Sequence, residues 1–90
     1  MAGPVTLDII NEKGLHARAS AKFVEVVERH TAEASVSRDG MTVSGDSIMG
    51  LLMLAAACGT QIEVTTEGEE GDALMAALTA LVADRFGEGR

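Results

Sequence analysis

The order in which two hydrophobic periods alternate along the sequence restricts the fold more than any other feature. Apolar residues recur at every second position around Leu7, Val36, Val43 and Val64, which is typical of half-buried strands. Between and after these runs they recur at helical spacing. The resulting order, βαββαβα, predicts an α+β fold in which three helices cover one face of a four-stranded antiparallel sheet.

Turn and cap residues set the expected boundaries of these elements. Arg38-Asp39-Gly40 signals a tight hairpin turn, and a two-residue type I′ loop would place Val36 opposite Val43. Cap and stop residues predict helices over residues 17 to 29 or 30 and from 46 or 47 to about 56. A last helix, with acids in its first turn and Gly87 at its end, is predicted from the helical spacing of Leu74, Leu78, Leu81 and Val82. Residues 87 to 90 are expected to fray.

Length, charge and cysteine content exclude several classes of protein. The 90 residues, 47% of them apolar, predict a single domain over residues 1–90. A net charge of −7 argues against nucleic acid as a partner, and no apolar run is long enough to span a membrane. A lone cysteine, Cys58, forms no intramolecular disulfide. With no secretory signal evident, these features favour a cytoplasmic protein, which we expect to be monomeric.

Residues 11 to 20 join the first strand to the first helix and hold the most suggestive chemistry. Gly14 lets the chain turn, so His16 falls at or next to the helix N-cap. Unpaired N–H groups and the helix dipole make such a position a site for anions. A phosphoryl group on Nδ1 of His16 would lie among the amides of Ala17 and Arg18, within reach of the Arg18 guanidinium.

Two segments in register resemble the HPr family, the histidine phosphocarriers of the bacterial phosphotransferase system. Residues Gly14-Leu15-His16-Ala17-Arg18-Ala19-Ser20 resemble the family's active-site signature. Residues Ser47-Ile48-Met49-Gly50-Leu51-Leu52 resemble its regulatory-serine segment. The family's fold, an open-faced β-sandwich with helices on one side, agrees with the predicted order of elements.

The resemblance implies a carrier rather than an enzyme. It implies that His16 accepts a phosphoryl group from enzyme I and passes it to an enzyme IIA protein, with Ala17 and Arg18 binding the phosphoryl oxygens. Ser47 matches the position that HPr kinase/phosphorylase modifies. The implied partner surface contains Ile48, Met49, Leu52 and Lys22. No cofactor and no metal ion is implied.

The sequence departs from the family pattern at one position, and two other functional classes stay open. Most members have proline where this chain has Ala19, and alanine adds one free N–H to the first helical turn. Ala19 and the alanine-rich end of the second helix are similar to carriers of the nitrogen-related branch. The alternatives are an HPr-like regulatory binder that carries no phosphate and a ferredoxin-like module for a metal or small ligand. His30, near a helix end and without companions at ligand spacing, is interpreted as structural.

Overall fold

The computed structural model describes residues 1–90, and its elements follow the predicted order. The strands are β1 (Ala2–Asp8), β2 (Glu33–Arg38), β3 (Met41–Ser44) and β4 (Gln61–Glu67). The helices are α1 (Ala17–Glu28), α2 (Ile48–Met53) and α3 (Gly71–Ala83), followed by a 3₁₀ turn over Arg85–Gly87. The four strands form one sheet in the order β1-β4-β2-β3, with every neighbouring pair antiparallel.

A row of valines crosses the sheet and fixes its register. Val64 in β4 pairs with Val5 on one side and with Val36 on the other, and Val36 in turn pairs with Val43. The last pair confirms the predicted hairpin, whose turn residues Asp39 and Gly40 both have positive φ, at 49° and 81°. Because side chains alternate across a strand, this row assigns one face of the sheet to the core.

The three helices cover the valine face and leave the other face of the sheet open. α3 packs against β1 and β4, and α1 lies between α2 and α3. The 19 buried apolar side chains form one cluster beneath these helices. A packed third helix agrees with the open-faced sandwich and not with the ferredoxin-like alternative, which lacks that helix. None of the helices combines the length and apolar character that crossing a bilayer requires.

The second helix ends three residues earlier than the sequence predicts. α2 stops at Met53, and Ala55 adopts a left-handed φ of 51°. The Leu54 carbonyl accepts a hydrogen bond from Nη1 of Arg38 at 3.0 Å. Leu54 and Ala56 both turn into the core, at 3% and 2% exposure. Burial of these two side chains outweighs the helical preference of the alanine run.

The C-terminal segment also departs from prediction. α3 ends at Ala83 instead of Gly87, because Arg85 and Phe86 have left-handed backbone conformations with φ of 54°. Residues 87 to 90, which the sequence predicts to fray, make hydrogen bonds to the rest of the chain. The Arg90 carbonyl accepts a hydrogen bond from the Glu12 amide at 3.0 Å, so the segment returns to the loop after β1.

Gly14 is the point at which the loop before α1 touches the segment after α2. Its φ is +69°, and a Cβ added there would lie 2.6 Å from the carbonyl oxygen of Ala56. The next residue, Leu15, donates its amide to that same oxygen at 2.8 Å. Only glycine therefore allows the backbone contact that sets where α1 begins.

We expect Gly14→Ala to lower the free energy of unfolding by about 2–4 kcal/mol, since the methyl group adds a backbone clash to a strained φ. Gly40→Ala is the matched control. Gly40 has a similar φ of +81° but no atom within 4 Å of an added Cβ, so the expected loss is about 1 kcal/mol. Urea denaturation of both variants measures the difference, and equal losses would contradict the proposed contact.

Candidate functional site

His16 is the N-cap of α1, as the sequence predicts. Its backbone is extended, with φ of −83° and ψ of −174°, and its Nδ1 accepts a hydrogen bond from the Arg18 amide at 3.3 Å. The side chain is 27% exposed. Ala17 and Arg18 occupy the first helical turn, where backbone N–H groups have no intrahelical acceptor. The imidazole therefore has one nitrogen directed at the electropositive end of the helix and an edge open to solvent.

Positive side chains outnumber negative ones around the ring. The surface depression beside His16 is lined by Glu12, Lys13, His16, Arg18, Lys22, Gly87, Glu88 and Arg90. Four of these residues are cations and two are acids, although the whole chain has a net charge of −7. Arg18 is exposed, and its guanidinium forms no ion pair within the protein. This arrangement suits a small anion that approaches from solvent.

Glu88 is a site residue that the sequence reasoning missed. Its Oε2 contacts Nε2 of His16 from 72 positions along the chain, and its Oε1 accepts from Nδ2 of buried Asn11 at 3.0 Å. Partial burial acts to raise the pKa of Glu88, but hydrogen bonds from Asn11 and His16 and the nearby charges of His16 and Lys13 outweigh it. The pKa therefore lies below its usual value of 4.5.

Phe86 and Lys22 hold the C-terminal segment in place. Phe86 is fully buried, and its carbonyl accepts a hydrogen bond from Nζ of Lys22 at 2.6 Å. Lys22 was predicted to bind partners; the structure gives it this internal contact, and the partner role stays a prediction. The one sequence signal for the segment was Phe86, an aromatic residue beyond the regular spacing of α3.

The second predicted segment presents an apolar surface. Ser47 is the N-cap of α2, and its Oγ accepts a hydrogen bond from the Gly50 amide at 3.0 Å. Leu51 is buried and Leu52 is half-buried, whereas Ile48, Met49 and Met53 are exposed by 40%, 69% and 62%. The sequence pattern predicted exposed residues on this helix but did not single out Met53.

The remaining histidine and cysteine lie apart from this site. Nδ1 of His30 is 2.8 Å from the Val26 carbonyl, a contact within the end of α1. Cys58 is exposed and unpaired. Nowhere do three or more His, Cys, Asp or Glu side chains converge as a metal ion would require.

Comparison with known proteins identifies close relatives. The family model described as "PTS HPr component phosphorylation site" matches residues 5–84. The phosphocarrier protein HPr of Neisseria meningitidis serogroup A is 49% identical over 84 residues, which cover 93% of this chain and 94% of that protein.

Solved structures agree with these matches. A crystal structure of HPr-C-His from Thermoanaerobacter tengcongensis superimposes with a TM-score of 0.89 at 34% identity, covering 93% of this chain and 94% of that one. A structure of an HPr dimer from the same organism has a TM-score of 0.77 at 33% identity, covering 97% and 100%.

Proposed function

The chain belongs to the HPr family of phosphocarriers of the phosphotransferase system, and we propose that His16 is the residue through which it carries phosphate. The protein is a phosphoryl carrier and not an enzyme that turns over a small substrate. The observation that supports His16 is its Nδ1, which lies at the first-turn amides of α1.

In the proposed reaction, the Nδ1 lone pair of His16 attacks the phosphorus of a phosphohistidine on enzyme I. The bond between phosphorus and the donor nitrogen breaks as the new N–P bond forms. Phosphoryl transfer needs positioning and charge stabilisation more than proton transfer. The amides of Ala17 and Arg18 and the Arg18 guanidinium would supply that stabilisation, because the amides lie in the first turn of α1 and Arg18 lines the depression beside His16.

The second transfer runs from His16 to an enzyme IIA protein. Neutral imidazole is then the leaving group, and the open edge of the ring lets a second partner approach the same phosphorus. The cations around the ring would also attract an acidic partner surface. The branch of the system that this carrier serves, sugar or nitrogen-related, stays a prediction.

We expect His16→Ala to abolish phosphorylation by enzyme I and phosphoenolpyruvate while leaving the fold intact. His30→Ala is the matched control, because it removes the other histidine of the chain and should accept phosphate at the normal rate. Acid-labile incorporation of radioactive phosphate measures both. Uptake that survives in His16→Ala, or disappears in His30→Ala, would assign the phosphoryl group elsewhere.

Arg18→Lys should slow phosphoryl transfer by about tenfold, because lysine keeps the charge but loses the two-pronged hydrogen bond to phosphoryl oxygens. Arg29→Lys is the control, since Arg29 lies at the other end of α1 and pairs with Glu25. Initial rates with enzyme I measure the effect. Equal rates for the two variants would show that the Arg18 fork does not contact the phosphoryl group.

Ser47 and the exposed or half-buried side chains of α2 form the proposed regulatory and docking surface. Ile48, Met49 and Leu52 supply apolar contacts, and methionine adapts readily to different partners. A phosphate placed on Ser47 by HPr kinase/phosphorylase would add nearly two negative charges at the edge of this surface. Since the charge falls at a helix N-terminus, it would disturb docking without unfolding α2.

Ser47→Asp should weaken phosphorylation by enzyme I by about threefold or more, because charge at an interface rim acts mainly on association. Ser47→Asn is the matched control, since asparagine has nearly the same shape as aspartate and also caps a helix, but adds no charge. Initial rates at several salt concentrations separate the effect of the added charge from the effect of the changed side-chain shape. If Asp and Asn behave alike, the charge at this position has no regulatory effect on docking.

The remaining predictions concern the domain organisation, the oligomeric state and the cellular compartment of the carrier. Residues 1–90 act as one HPr-like domain, which the single cluster of 19 buried apolar residues supports. The carrier is expected to act as a monomer, although one similar solved structure is an HPr dimer. The unpaired thiol of Cys58 suits the reducing cytoplasm, where enzyme I and its phosphoryl donor would be met.

A further inference from the structure

The contact between Glu88 and His16 involves the ring nitrogen that the phosphoryl group does not use. We propose that Glu88 is a positioning residue for phosphoryl transfer, whose carboxylate holds the proton on Nε2 of His16 and balances the positive charge that the ring gains on Nδ1 phosphorylation. This inference rests on the proposed function, since it requires Nδ1 to be the accepting atom.

The two contacts of the imidazole specify the same tautomer. An ionised carboxylate only accepts hydrogen bonds, so the nitrogen that faces Glu88 must carry the hydrogen. The amide of Arg18 only donates, so Nδ1 must present its lone pair. Metal-binding histidines are oriented in the same manner, through a carboxylate on the nitrogen that does not bind the metal. Here the arrangement would place the lone pair on Nδ1, which can attack phosphorus once the Arg18 amide shifts its long hydrogen bond from Nδ1 to a phosphoryl oxygen.

Glu88 is held in place by contacts on both sides. Asn11 donates Nδ2 to Oε1 of Glu88 at 3.0 Å and to the Gly14 carbonyl at 2.8 Å, so one buried amide links the carboxylate to the loop before His16. Burial of Phe86 and the bond from Lys22 to its carbonyl anchor the chain two residues earlier. The Glu88 side chain is 13% exposed, so its charge is less screened than a surface carboxylate would be.

Among the charged groups that face the ring, Glu88 is the one that contacts Nε2. The others that line the depression are Glu12, Lys13, Arg18, Lys22 and Arg90. Arg90 lies 3.8 Å from Glu12 in a largely exposed pair, and Lys22 donates to a backbone carbonyl. The lowered pKa of Glu88 keeps it ionised at neutral pH, as the proposed role requires.

The proton balance of the transfer explains what the carboxylate contributes. When Nδ1 forms its bond to phosphorus, the Nε2 hydrogen stays in place and the ring becomes an imidazolium. Its positive charge is then offset by Glu88. In the onward transfer the N–P bond breaks and its electron pair returns to Nδ1, so the leaving group is neutral imidazole that still carries the Nε2 hydrogen. A carboxylate at Nε2 therefore stabilises the phosphorylated ring, and it keeps in place the Nε2 hydrogen that makes the leaving group of the onward transfer a neutral imidazole.

The test uses two variants. Glu88→Gln keeps the size of the side chain and an acceptor oxygen but removes the charge. Glu88→Ala removes the charge and the acceptor oxygen together. Glu69→Gln is the matched control, because Glu69 is exposed and lies outside the depression. We expect Glu88→Gln to lower the initial rate of phosphorylation by enzyme I about three- to tenfold, and Glu88→Ala at least as much. Glu69→Gln should match the unaltered chain.

Two further readouts separate this role from a merely structural one. Hydrolysis of the phosphohistidine depends on protonation of its ring, so the midpoint of its pH profile should move to lower pH in Glu88→Gln and stay in place in Glu69→Gln. Nitrogen-15 NMR of the unphosphorylated imidazole should show hydrogen on Nε2 in the unaltered chain and a mixture of tautomers in Glu88→Ala.

The outcomes distinguish this inference from the proposed function. If the unaltered chain takes up no phosphate on His16, both are wrong. If it takes up phosphate and Glu88→Gln is equally fast or faster, Glu88 is a spectator or a repulsive charge, and only the positioning role is overturned. An unchanged pH profile of hydrolysis in Glu88→Gln would overturn it in the same way.

Discussion

The unpaired N–H groups at the start of α1 are the feature on which the rest of the structure depends. A helix needs an acceptor at its N-terminus, and serine, threonine, aspartate or asparagine would usually supply it. Here Nδ1 of His16 does so, in a bond to the Arg18 amide that is long at 3.3 Å. An imidazole is a weaker cap than a carboxylate, but it is also a nucleophile. Histidine at this position therefore stabilises the helix less than a carboxylate would, but it places a nucleophilic nitrogen where an anion binds favourably.

Three contacts hold that histidine, and two of them come from segments distant in sequence. The Ala56 carbonyl after α2 accepts the Leu15 amide, which sets the start of α1. Asn11 after β1 binds both the Gly14 carbonyl and Glu88. Phe86 fills the core and brings the last residues of the chain back across the ring. The first two contacts pair backbone and side-chain polar groups that burial would otherwise leave without partners, and the third buries an aromatic ring, so the site is part of the fold itself.

The sequence predicts those parts of this arrangement that depend on local chemistry. His16 as N-cap follows from Gly14 and the first helical residues, and the Val36–Val43 register follows from the two-residue turn. The sequence pattern predicts the ends of α2 and α3 too far along the chain, because burial of Leu54, Ala56 and Phe86 in the core determines where these helices end. The contact of Glu88 with His16 had no local signal. It joins residues 72 positions apart and exists only because two consecutive left-handed residues, Arg85 and Phe86, redirect the chain.

An exposed site is what a carrier with two partners requires. An enzyme that completes its chemistry alone gains from enclosing the reacting atoms, since excluding water strengthens every charge interaction. Such a pocket here would bind the phosphoryl group too firmly to pass it on, and would block the approach of a second protein. The ring of His16 is instead 27% exposed, and the guanidinium of Arg18 has no ion-pair partner within the chain. In the proposed transfer, water would be excluded only when a partner docks, so that the strongest stabilisation of the phosphoryl group would coincide with its transfer.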